Sequence, residues 1–564
     1  MTMTDDRTTP GTQDPAPGDA PGPTDAAPVI TFERRPDEYR HWSLDLDAPI
    51  ARLHLTIDPS GAMIGDYELK MNSYDIGVDI ELADAVRRIR FEHPEIRVVV
   101  IDSGIEGIFC AGANIRMLAG ATHAHKVNFC KFTNETRLEI EEASAESGLK
   151  FLAAINGPCS GGGYELAMAC DHLLLLDDRS TSVSLPEVPL LGVLPGTGGL
   201  TRLTDKRGVR RDRADVFATK AEGIQGSEAL EWRLVDELAS PSSFDDAVVA
   251  AAMALSETSD RAPSTEPLQL LPLERTVADD EISYTHVTAR LDRPGRCVRL
   301  EVRASDAVDW PLTCARELDD LLCHLRFNEP LLGTLVVTTS GDPAHVLAHD
   351  EALANPVGHA QREISLLWKR VLSRLDLTAR TIIATVEPGS CFVGVLAELA
   401  LAADRTYMLD GIFEDDDDPL PAATIGLTAV NTGPMPMANG LTRIESRLHG
   451  NDEMIDAARA ATGTDLDAAA AAELGLVTFT PDDLDWHDEV RLFVEERASF
   501  SPDALTGMEA NHRFCGPETM ATKIFARLSA WQNWIFIRPN ASGPDGALRR
   551  YGTGSRADFD HHRT

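Results

Sequence analysis

The first third of this chain alternates between strand-like and helix-like patterns of apolar residues. Residues 51–57 alternate apolar and polar side chains, which predicts a half-buried strand, and the continuous apolar run at 96–101 predicts a buried one. Between them, residues 80–91 space their apolar side chains at helical intervals. A further apolar run at 151–155 predicts another buried strand. This alternation of strands and helices predicts an α/β fold.

The apolar run at 151–155 leads into a glycine cluster and then into a predicted helix. Gly161, Gly162 and Gly163 follow one another, and Glu165 lies at the start of the helix. Glycines let a ligand approach bare backbone, and the first turn of a helix offers unpaired N–H groups and a partial positive charge. This arrangement suits an oxygen that becomes negative during a reaction, with a carboxylate beside it. The segment is therefore a candidate active site.

The second half of the chain repeats the first. Colinear matches recur at spacings between 233 and 242 positions, and they pair Glu81-Leu82 with Glu317-Leu318, Ser103-Gly104 with Ser340-Gly341, Glu165–Asp171 with Glu398–Asp404, Gly199–Arg202 with Gly440–Arg443, and Leu234-Val235 with Leu476-Val477. One such match would be chance, but a colinear series of them indicates two domains of one fold.

The repeat and the composition together predict the domain organisation. A chain of 564 residues is too long for one core. A Pro-, Gly- and Asp-rich start without apolar periodicity predicts a disordered tail, and a stretch from residue 256 with several prolines predicts a linker. The predicted parts are a tail at 1–28, a catalytic domain at 29–255, a linker at 256–282, a degenerate second domain at 283–500, and a helical C-terminal region and tail at 501–564.

Charge and cysteine usage narrow the class of protein. A formal net charge of -38 argues against nucleic acid or an anionic membrane surface as the main partner. No apolar run is long enough to span a bilayer, and no signal-peptide core is present near the start. The nine cysteines are scattered in apolar contexts without a Cys-x-x-Cys pair. They predict reduced thiols in a cytoplasmic protein and no structural zinc site.

Three motifs follow one another in a specific order. They are Phe-x-Ala-Gly-Ala at 109–113, Asn-Gly-Pro with Gly-Gly-Gly-x-Glu-Leu-Ala within 156–167, and Pro-Glu-Val with Pro-Gly-x-Gly-Gly within 186–199. In this order they resemble the crotonase (enoyl-CoA hydratase/isomerase) superfamily, over roughly residues 45 to 240. The resemblance implies two tandem crotonase-like ββα spiral domains and chemistry on a coenzyme A thioester. A dinucleotide site is disfavoured, because Gly-x-Gly-x-x-Gly spacing is absent from this cluster.

The resemblance also implies roles for named residues. Backbone N–H groups of Ala111 and Gly162 would form an oxyanion hole around the thioester carbonyl. Glu165 and Glu187 match the two carboxylates that hold and activate water or move a proton, and two facing carboxylates tend to titrate apart. An isolated glutamate on a helix is usually only solvated, so this assignment depends on the matched motifs.

Weaker candidates for contacts with the substrate surround these residues. Ala113 would edge the adenine pocket, and Gly161 would line the substrate site. Lys70 and Asn72 match a Lys-x-Asn loop that contacts the coenzyme A or the acyl chain. Asn114 stands where Asp is commonest in the superfamily. No metal and no separate cofactor is expected, because coenzyme A arrives as part of the substrate.

The second copy lacks this chemistry. Val395 replaces the oxyanion glycine, and no Phe-x-Ala-Gly-Ala segment follows Ser340-Gly341. Glu398 keeps its position but, judged from the sequence, has lost every partner. We therefore predict a scaffold domain that packs against the first copy as a neighbouring subunit would. A homodimer or another homo-oligomer is the expected assembly.

Motifs along the whole chain narrow the expected activity. They include residues 91–95, 127–137 and 231–236 in the first copy, and 531–534 and 547–554 near the C-terminal end. Together with the duplicated layout they resemble a branch of the superfamily that opens the ring of an aromatic acyl-CoA epoxide. Two alternatives stay open, an enoyl-CoA hydratase or isomerase for another acyl-CoA and a non-catalytic acyl-CoA-binding scaffold.

Overall fold

The computed structural model describes residues 29–261, 266–414 and 417–564. We refer to residues 29–261 as the first unit, to the described part of 266–500 as the second unit, and to 501–564 as the C-terminal region. The tail predicted at residues 1–28 lies outside the described residues.

The first unit is an α/β arrangement in which short loops join strands to helices. Its strands are β1 (Trp42–Asp47), β2 (Ile50–Leu55), β3 (Val98–Ser103), β4 (Lys150–Ile155), β5 (Cys159–Ser160), β6 (His172–Leu176), β7 (Ser182–Ser184), β8 (Ile224–Gln225) and β9 (Glu237–Ala239). Its α-helices are α1 (Ile76–Glu92), α2 (Ile115–Gly120), α3 (His123–Glu146), α4 (Gly162–Ala169), α5 (Glu187–Leu191), α6 (Gly199–Thr201), α7 (Arg211–Ala218), α8 (Gly226–Glu231) and α9 (Phe244–Ser256).

The second unit has the same kinds of elements. Its strands are β10 (Thr276–Val277), β11 (Glu281–Ser283), β12 (Val287–Asp292), β13 (Cys297–Arg303), β14 (Thr334–Ser340), β15 (Thr381–Val386), β16 (Phe392–Val393), β17 (Arg405–Met408), β18 (Ile425–Gly426) and β19 (Asp465–Leu466). Its α-helices are α10 (Trp310–Asn328), α11 (Pro343–Ala354), α12 (Gly358–Asp376), α13 (Ala397–Ala402), α14 (Arg443–Arg447), α15 (Asp452–Ala460), α16 (Ala468–Glu473) and α17 (Asp483–Ser499).

The C-terminal region is helical, as predicted. It contains α18 (Pro502–Arg513), α19 (Met520–Thr522), α20 (Ser529–Phe536), α21 (Pro539–Ser542) and α22 (Ala547–Arg550), with a π-helical segment at Lys523–Leu528 between α19 and α20. Arg513 at the end of α18 reaches back into the second unit, where its guanidinium pairs with the Asp404 carboxylate at 2.5 Å. The C-terminal region is therefore tied to the second unit by a buried ion pair.

The two units share one strand order. The first sheet runs β1-β2-β3-β4-β6-β9, and the second runs β12-β13-β14-β15-β17 with β10 and β11 added at its edge. In both, the leading hairpin is antiparallel and the strands after it are parallel. A small three-stranded sheet accompanies each, β5-β7-β8 in the first unit and β16-β18-β19 in the second. The parallel strands are buried on both faces, which explains their continuous runs of apolar side chains.

Side chains repeat along with the strands. The Glu81 carboxylate on α1 accepts the backbone N–H groups of residues 40, 41 and 42, and the Glu317 carboxylate on α10 accepts those of residues 285, 286 and 287. Asp171 and Asp404 likewise accept one backbone N–H each, from Phe151 at 2.7 Å and from Ile382 at 2.8 Å. These matches explain why the glutamates and aspartates recur in both halves of the sequence.

The units pack through helices and buried charges. Arg90 on α1 is fully buried, and its guanidinium donates to the Glu363 carboxylate on α12 at 2.7 Å and to Glu142 at 3.1 Å. Asn128 on α3 donates to the Arg326 carbonyl of α10 at 3.0 Å. A buried ion pair between units is costly to break, because each charge would be left without a partner.

The segment predicted as a linker needs a correction. Its last part, residues 276–282, forms β10 and the start of β11, which pair in an antiparallel hairpin at the edge of the second sheet. Leu270, also within the predicted linker, is 5% exposed and belongs to the core of the second unit. Prolines mark the segment as irregular, but they do not exclude an edge hairpin.

Candidate active site

Three consecutive glycines bring separate chain segments together at the start of α4. Gly161 has a φ of +53°, a conformation that glycine adopts without strain. A Cβ added to Gly162 would lie 2.0 Å from the Tyr74 hydroxyl oxygen, and one added to Gly163 would lie 2.7 Å from the Cys110 carbonyl oxygen. All three positions therefore require glycine, for backbone conformation or for close packing.

One predicted oxyanion donor is contradicted by the structure. Gly162 is the first residue of α4, so its N–H has no acceptor within the helix and stays a donor for a ligand. The Ala111 N–H, in contrast, donates to the Met71 carbonyl at 3.2 Å. Ala111 is therefore not free to hold a thioester oxygen in this structure.

The neighbouring alanine offers the second N–H instead. The Tyr74 N–H donates to the Gly112 carbonyl at 2.9 Å, and the Tyr74 carbonyl accepts from the Asn114 N–H at 2.8 Å. In such a parallel bridge the residue between the two partners, Ala113, turns its own N–H to the opposite side. Gly112 also lies directly against the oxyanion glycine, since a Cβ on it would be 2.8 Å from the Gly162 nitrogen. Ala113 and Gly162 are thus the candidate donors, while the adenine contact of Ala113 stays a prediction.

Glu165 is buried and held in one orientation. Its side chain is almost fully enclosed, at 2% exposure. Its carboxylate accepts the backbone N–H groups of Thr197 at 3.0 Å and Gly199 at 2.7 Å, and it also accepts the Thr197 hydroxyl. A Cβ on Gly199 would lie 2.7 Å from the same carboxylate, so the Pro-Gly-x-Gly-Gly motif lets the backbone come this close. The donors around Glu165 are all neutral.

Glu187 lies above the glycine turn and has an unpaired oxygen. A Cβ on Gly161 would be 2.6 Å from its Oε1, and its Oε2 has no hydrogen-bond partner among residues 29–261, 266–414 and 417–564. Burial raises the pKa of the Glu187 carboxyl from 4.5 to about 7, and the nearby Glu165 carboxylate adds to the rise. A carboxyl with a pKa near neutrality can give or take a proton during turnover.

Asn72 and Lys70 were both predicted to contact the substrate, but only the Lys70 side chain is exposed. Asn72 is 1% exposed, and its amide already donates to the carbonyls of Leu55 and Phe109 and accepts the Ile57 N–H. Asn72 therefore stabilises the loop and does not reach a ligand, which corrects its predicted role. Lys70 is exposed and pairs with Glu68 at 2.6 Å, and its contact with coenzyme A stays a prediction.

Asn114 acts as a helix cap next to the oxyanion turn. Its Oδ1 accepts the Met117 N–H at 3.0 Å at the start of α2, and its Nδ2 donates to the Glu68 carbonyl at 2.9 Å. Aspartate could accept the first hydrogen bond but could not donate the second. The amide explains why Asn114 stands at a position where the superfamily favours Asp.

Comparisons with known proteins identify the family of this chain. Residues 68–265 match the family model described as enoyl-CoA hydratase/isomerase. Over 552 residues the chain is 53% identical to the benzoyl-CoA-dihydrodiol lyase of Aromatoleum evansii, a match that spans 95% of this chain and 98% of that protein. The chain belongs to the benzoyl-CoA-dihydrodiol lyase family. This match includes the second unit and the C-terminal region, which the shorter matches below do not span.

Other matches cover a smaller share of the chain. The fatty acid oxidation complex subunit alpha of Aliivibrio fischeri is 34% identical over 167 residues, which is 30% of this chain and 23% of that protein. A solved structure described as an enoyl-CoA hydratase of Geobacillus kaustophilus is 33% identical and covers 39% of this chain and 75% of its own, with a TM-score of 0.34.

In the second unit, Glu398 stands at the position of Glu165 and is bound to a positively charged side chain. Glu398 is 1% exposed, and its carboxylate accepts from the Asn431 amide and from the Arg443 guanidinium, each at 2.7 Å. Arg443 is also paired with Asp376 at 2.6 Å. The prediction that Glu398 has lost every partner is therefore wrong. Glu398 lacks the neutral donors that surround Glu165 and forms a buried ion pair.

Three contributors to the site were not singled out from the sequence. Thr197 and Gly199 hold the Glu165 carboxylate, and the Pro-Gly-x-Gly-Gly motif that contains them was a usable signal. The Tyr74 backbone is hydrogen-bonded to Gly112 and Asn114, the two neighbours of Ala113, and the Tyr74 hydroxyl contacts Gly162. No spacing rule brings residue 74 to residue 162, so this contact depends on the folded loop.

We also searched the described residues for membrane-spanning helices and metal-binding clusters. None of the helices in 29–261, 266–414 and 417–564 combines the length and apolarity needed to cross a lipid bilayer. Within the same residues, His, Cys, Asp and Glu side chains form no group of three or more that could hold a metal ion.

Proposed function

We propose that this protein opens the ring of 2,3-epoxybenzoyl-CoA with two waters to give 3,4-didehydroadipyl-CoA semialdehyde and formate. The observation that carries the proposal is the identity of 53% to a benzoyl-CoA-dihydrodiol lyase over nearly the whole of both chains. The intact glycine turn and both glutamates of the first unit support it. In the second unit Val395 replaces the oxyanion glycine and Glu398 is paired with Arg443, so retention of the glycine turn in the first unit favours an enzyme over a non-catalytic scaffold.

The site residues divide the work between holding charge and moving protons. The N–H groups of Ala113 and Gly162 would hold the thioester oxygen while negative charge develops on it. Glu187 is the proposed proton donor to the epoxide oxygen, because burial keeps it protonated up to about pH 7. Glu165 is the proposed base, which orients the attacking water and takes its proton.

The balance of the reaction supports a site without a separate cofactor. The epoxide oxygen and the oxygens of the two waters account for the aldehyde oxygen and the two formate oxygens, and electrons are redistributed only within the substrate. We propose accordingly that coenzyme A, as part of the substrate, is the only large group bound. The homo-oligomeric state and the cytoplasmic location stay predictions from the sequence.

The test is to give the purified protein 2,3-epoxybenzoyl-CoA and to measure formate. We expect one formate per coenzyme A ester consumed, with crotonyl-CoA as a control that releases none. Hydration of crotonyl-CoA without formate from the epoxide would replace the proposal by an enoyl-CoA hydratase. Binding of both esters without turnover of either would replace it by an acyl-CoA-binding scaffold.

A further inference from the structure

The hydroxyl of Tyr74 is buried against the oxyanion glycine without a hydrogen-bond partner. Tyr74 is 3% exposed, and its Oη has no partner among the described residues. This oxygen lies 2.0 Å from the point where a Cβ on Gly162 would stand. A buried hydroxyl that makes no hydrogen bond lowers the free energy of unfolding. Such a group is therefore a candidate for a functional role.

The ring of Tyr74 is fixed on several sides. Its backbone is bonded to Gly112 and Asn114 on either side of Ala113. The Arg137 guanidinium carbon lies 5.5 Å from the ring centroid, and the Phe129 ring centroid lies 5.9 Å from it. Because these contacts fix the ring, the hydroxyl is held against Gly162 before any substrate arrives. A donor fixed in this way need not be reoriented when charge develops.

Two other buried tyrosines have hydrogen-bonded hydroxyls. The Tyr164 hydroxyl donates to the Leu234 carbonyl at 2.7 Å, and the Tyr284 hydroxyl donates to Asp320 at 2.6 Å. In the second unit, Trp310 stands 236 positions after Tyr74, the spacing that relates Glu81 to Glu317, and its indole N–H donates to the Arg303 carbonyl at 2.8 Å. The unpaired donor thus belongs to the unit that retains the active site.

We propose that Tyr74 is a catalytic residue that donates a third hydrogen bond to the thioester oxygen, beside the N–H groups of Ala113 and Gly162. The assignment rests on the proposed function, since it presupposes an acyl-CoA in the glycine turn. Burial raises the pKa of the Tyr74 hydroxyl well above 10.0, so it keeps its proton at any physiological pH. It can therefore donate a hydrogen bond to the oxyanion without transferring the proton to it.

The kinetic test compares Tyr74→Phe with Tyr164→Phe, two buried tyrosines that each lose one hydroxyl. Removing a donor from an oxyanion hole lowers kcat by about 100-fold or more, and we expect a loss of that order in Y74F with little change in KM. Y74F should have an unchanged or higher Tm, because its hydroxyl has no partner to lose. Y164F should show the reverse, a lower Tm with kcat retained, because the Leu234 carbonyl loses its donor.

A spectroscopic test separates this role from a structural one and from the proposed reaction. Benzoyl-CoA labelled with ¹³C at the thioester carbonyl lacks the epoxide, so only its carbonyl can report on the donor. Bound to the wild-type protein, its carbonyl stretch should move to lower frequency, and Y74F should reverse part of this shift while Y164F keeps it. If the wild-type protein released no formate but still showed the Tyr74-dependent shift, the proposed function would be rejected. The assignment of Tyr74 as a donor to the thioester oxygen would be retained.

Three results would overturn the assignment. The first is an equal carbonyl frequency in Y74F and the wild type, which would mean that the hydroxyl does not reach the thioester oxygen. The second is a parallel loss of Tm and kcat in Y74F, as expected of a purely structural side chain. Tighter binding of benzoyl-CoA to Y74F without a frequency change would identify the hydroxyl as a steric plug of the empty site, and this too would reject the proposal.

Discussion

Glu165 and Glu398 stand at equivalent places in the two units, yet only one is placed for chemistry. Both are buried, at 2% and 1% exposure. Glu165 is surrounded by neutral donors from the turn at 197–199. Glu398 receives a charged hydrogen bond from Arg443. The fold position alone therefore does not make a catalytic carboxylate, because the charge of its hydrogen-bond donors differs between the units.

One arginine position accounts for the difference. Arg202 of the first unit corresponds to Arg443 of the second, since both end a Gly-Leu-Thr-Arg sequence. The Arg202 guanidinium is bound to Glu141 at 2.8 and 3.0 Å, and it supports the turn by donating to the Thr197 carbonyl at 2.9 Å. Arg443 keeps a comparable carboxylate partner, Asp376 at 2.6 Å, so what separates the two arginines is the additional contact of Arg443 with a buried glutamate. In the second unit the same arginine reaches the buried glutamate and forms an ion pair with it.

The largest expected effect is the loss of turnover when either glutamate of the first unit becomes neutral. Glu165→Gln and Glu187→Gln should each lower kcat by about 10²–10⁴-fold, the range for a lost general acid or base. Glutamine at 165 can still accept the N–H groups of Thr197 and Gly199, so the fold should persist. Formate release measures kcat, and calorimetry with benzoyl-CoA measures binding, which we expect to be retained. Turnover near that of the wild type in both variants would reject the paired-carboxylate mechanism.

Glu398→Gln is the matched control in the second unit. We expect kcat to be unchanged and the unfolding temperature to fall, because Arg443 loses one of its two buried carboxylate partners and keeps only Asp376. A large kinetic loss in a folded E398Q protein would show that the second unit takes part in the reaction. The same substitution thus distinguishes catalysis from packing.

A smaller effect is expected in the pH dependence of the reaction. With a pKa of about 7, Glu187 should lose its proton as the pH rises, so kcat/KM should fall about tenfold per pH unit above 7. This limb should be missing in the residual activity of E187Q. A rise of kcat/KM through the same pKa would instead make Glu187 the base and exchange the two proposed roles.

The same titration predicts a change in stability with a defined sign. Glu187 binds its proton more tightly in the folded protein than at the ordinary pKa of 4.5, so its favourable contribution to stability is complete below that pH and is lost as the pH rises to about 7. The unfolding temperature of E187Q should therefore depend less on pH between about 4.5 and 7 than that of the wild type.

The sequence predicted the parts of the site that depend on local pattern. The α/β class followed from the local pattern of strands and helices. Gly162, Glu165 and Glu187 were assigned from motifs shared with the superfamily, and their catalytic roles stay predictions. The exchange of Ala111 for Ala113 could not be predicted in this way. Gly112 has a φ of +85° and interrupts the alternation of N–H directions, so adjacent residues of one motif face different partners.

Contacts between distant segments were harder still to predict. Asn72 was predicted to bind substrate, but it is occupied by loop carbonyls that lie 17 and 37 positions away along the chain. The ion pair of Glu398 was missed because Arg443 lies 45 positions further along the chain. The matching arginine was visible in the repeat, yet whether it also reaches the buried glutamate is decided by packing. Such choices require the three-dimensional structure.

The smallest expected effects come from the paired glycines at the start of the two helices. Gly161 and Gly394 both have a φ of +53°, which glycine adopts without strain and alanine does not. A Cβ on Gly161 would lie 2.6 Å from the Glu187 carboxylate, and one on Gly394 would lie 2.3 Å from the Asp350 carboxylate. Gly161→Ala and Gly394→Ala should therefore lower the unfolding temperature similarly. Only G161A should also lower kcat, because only there does the new methyl group displace a catalytic carboxyl. An equal loss of kcat in G394A would mean that the second unit controls the geometry of the first.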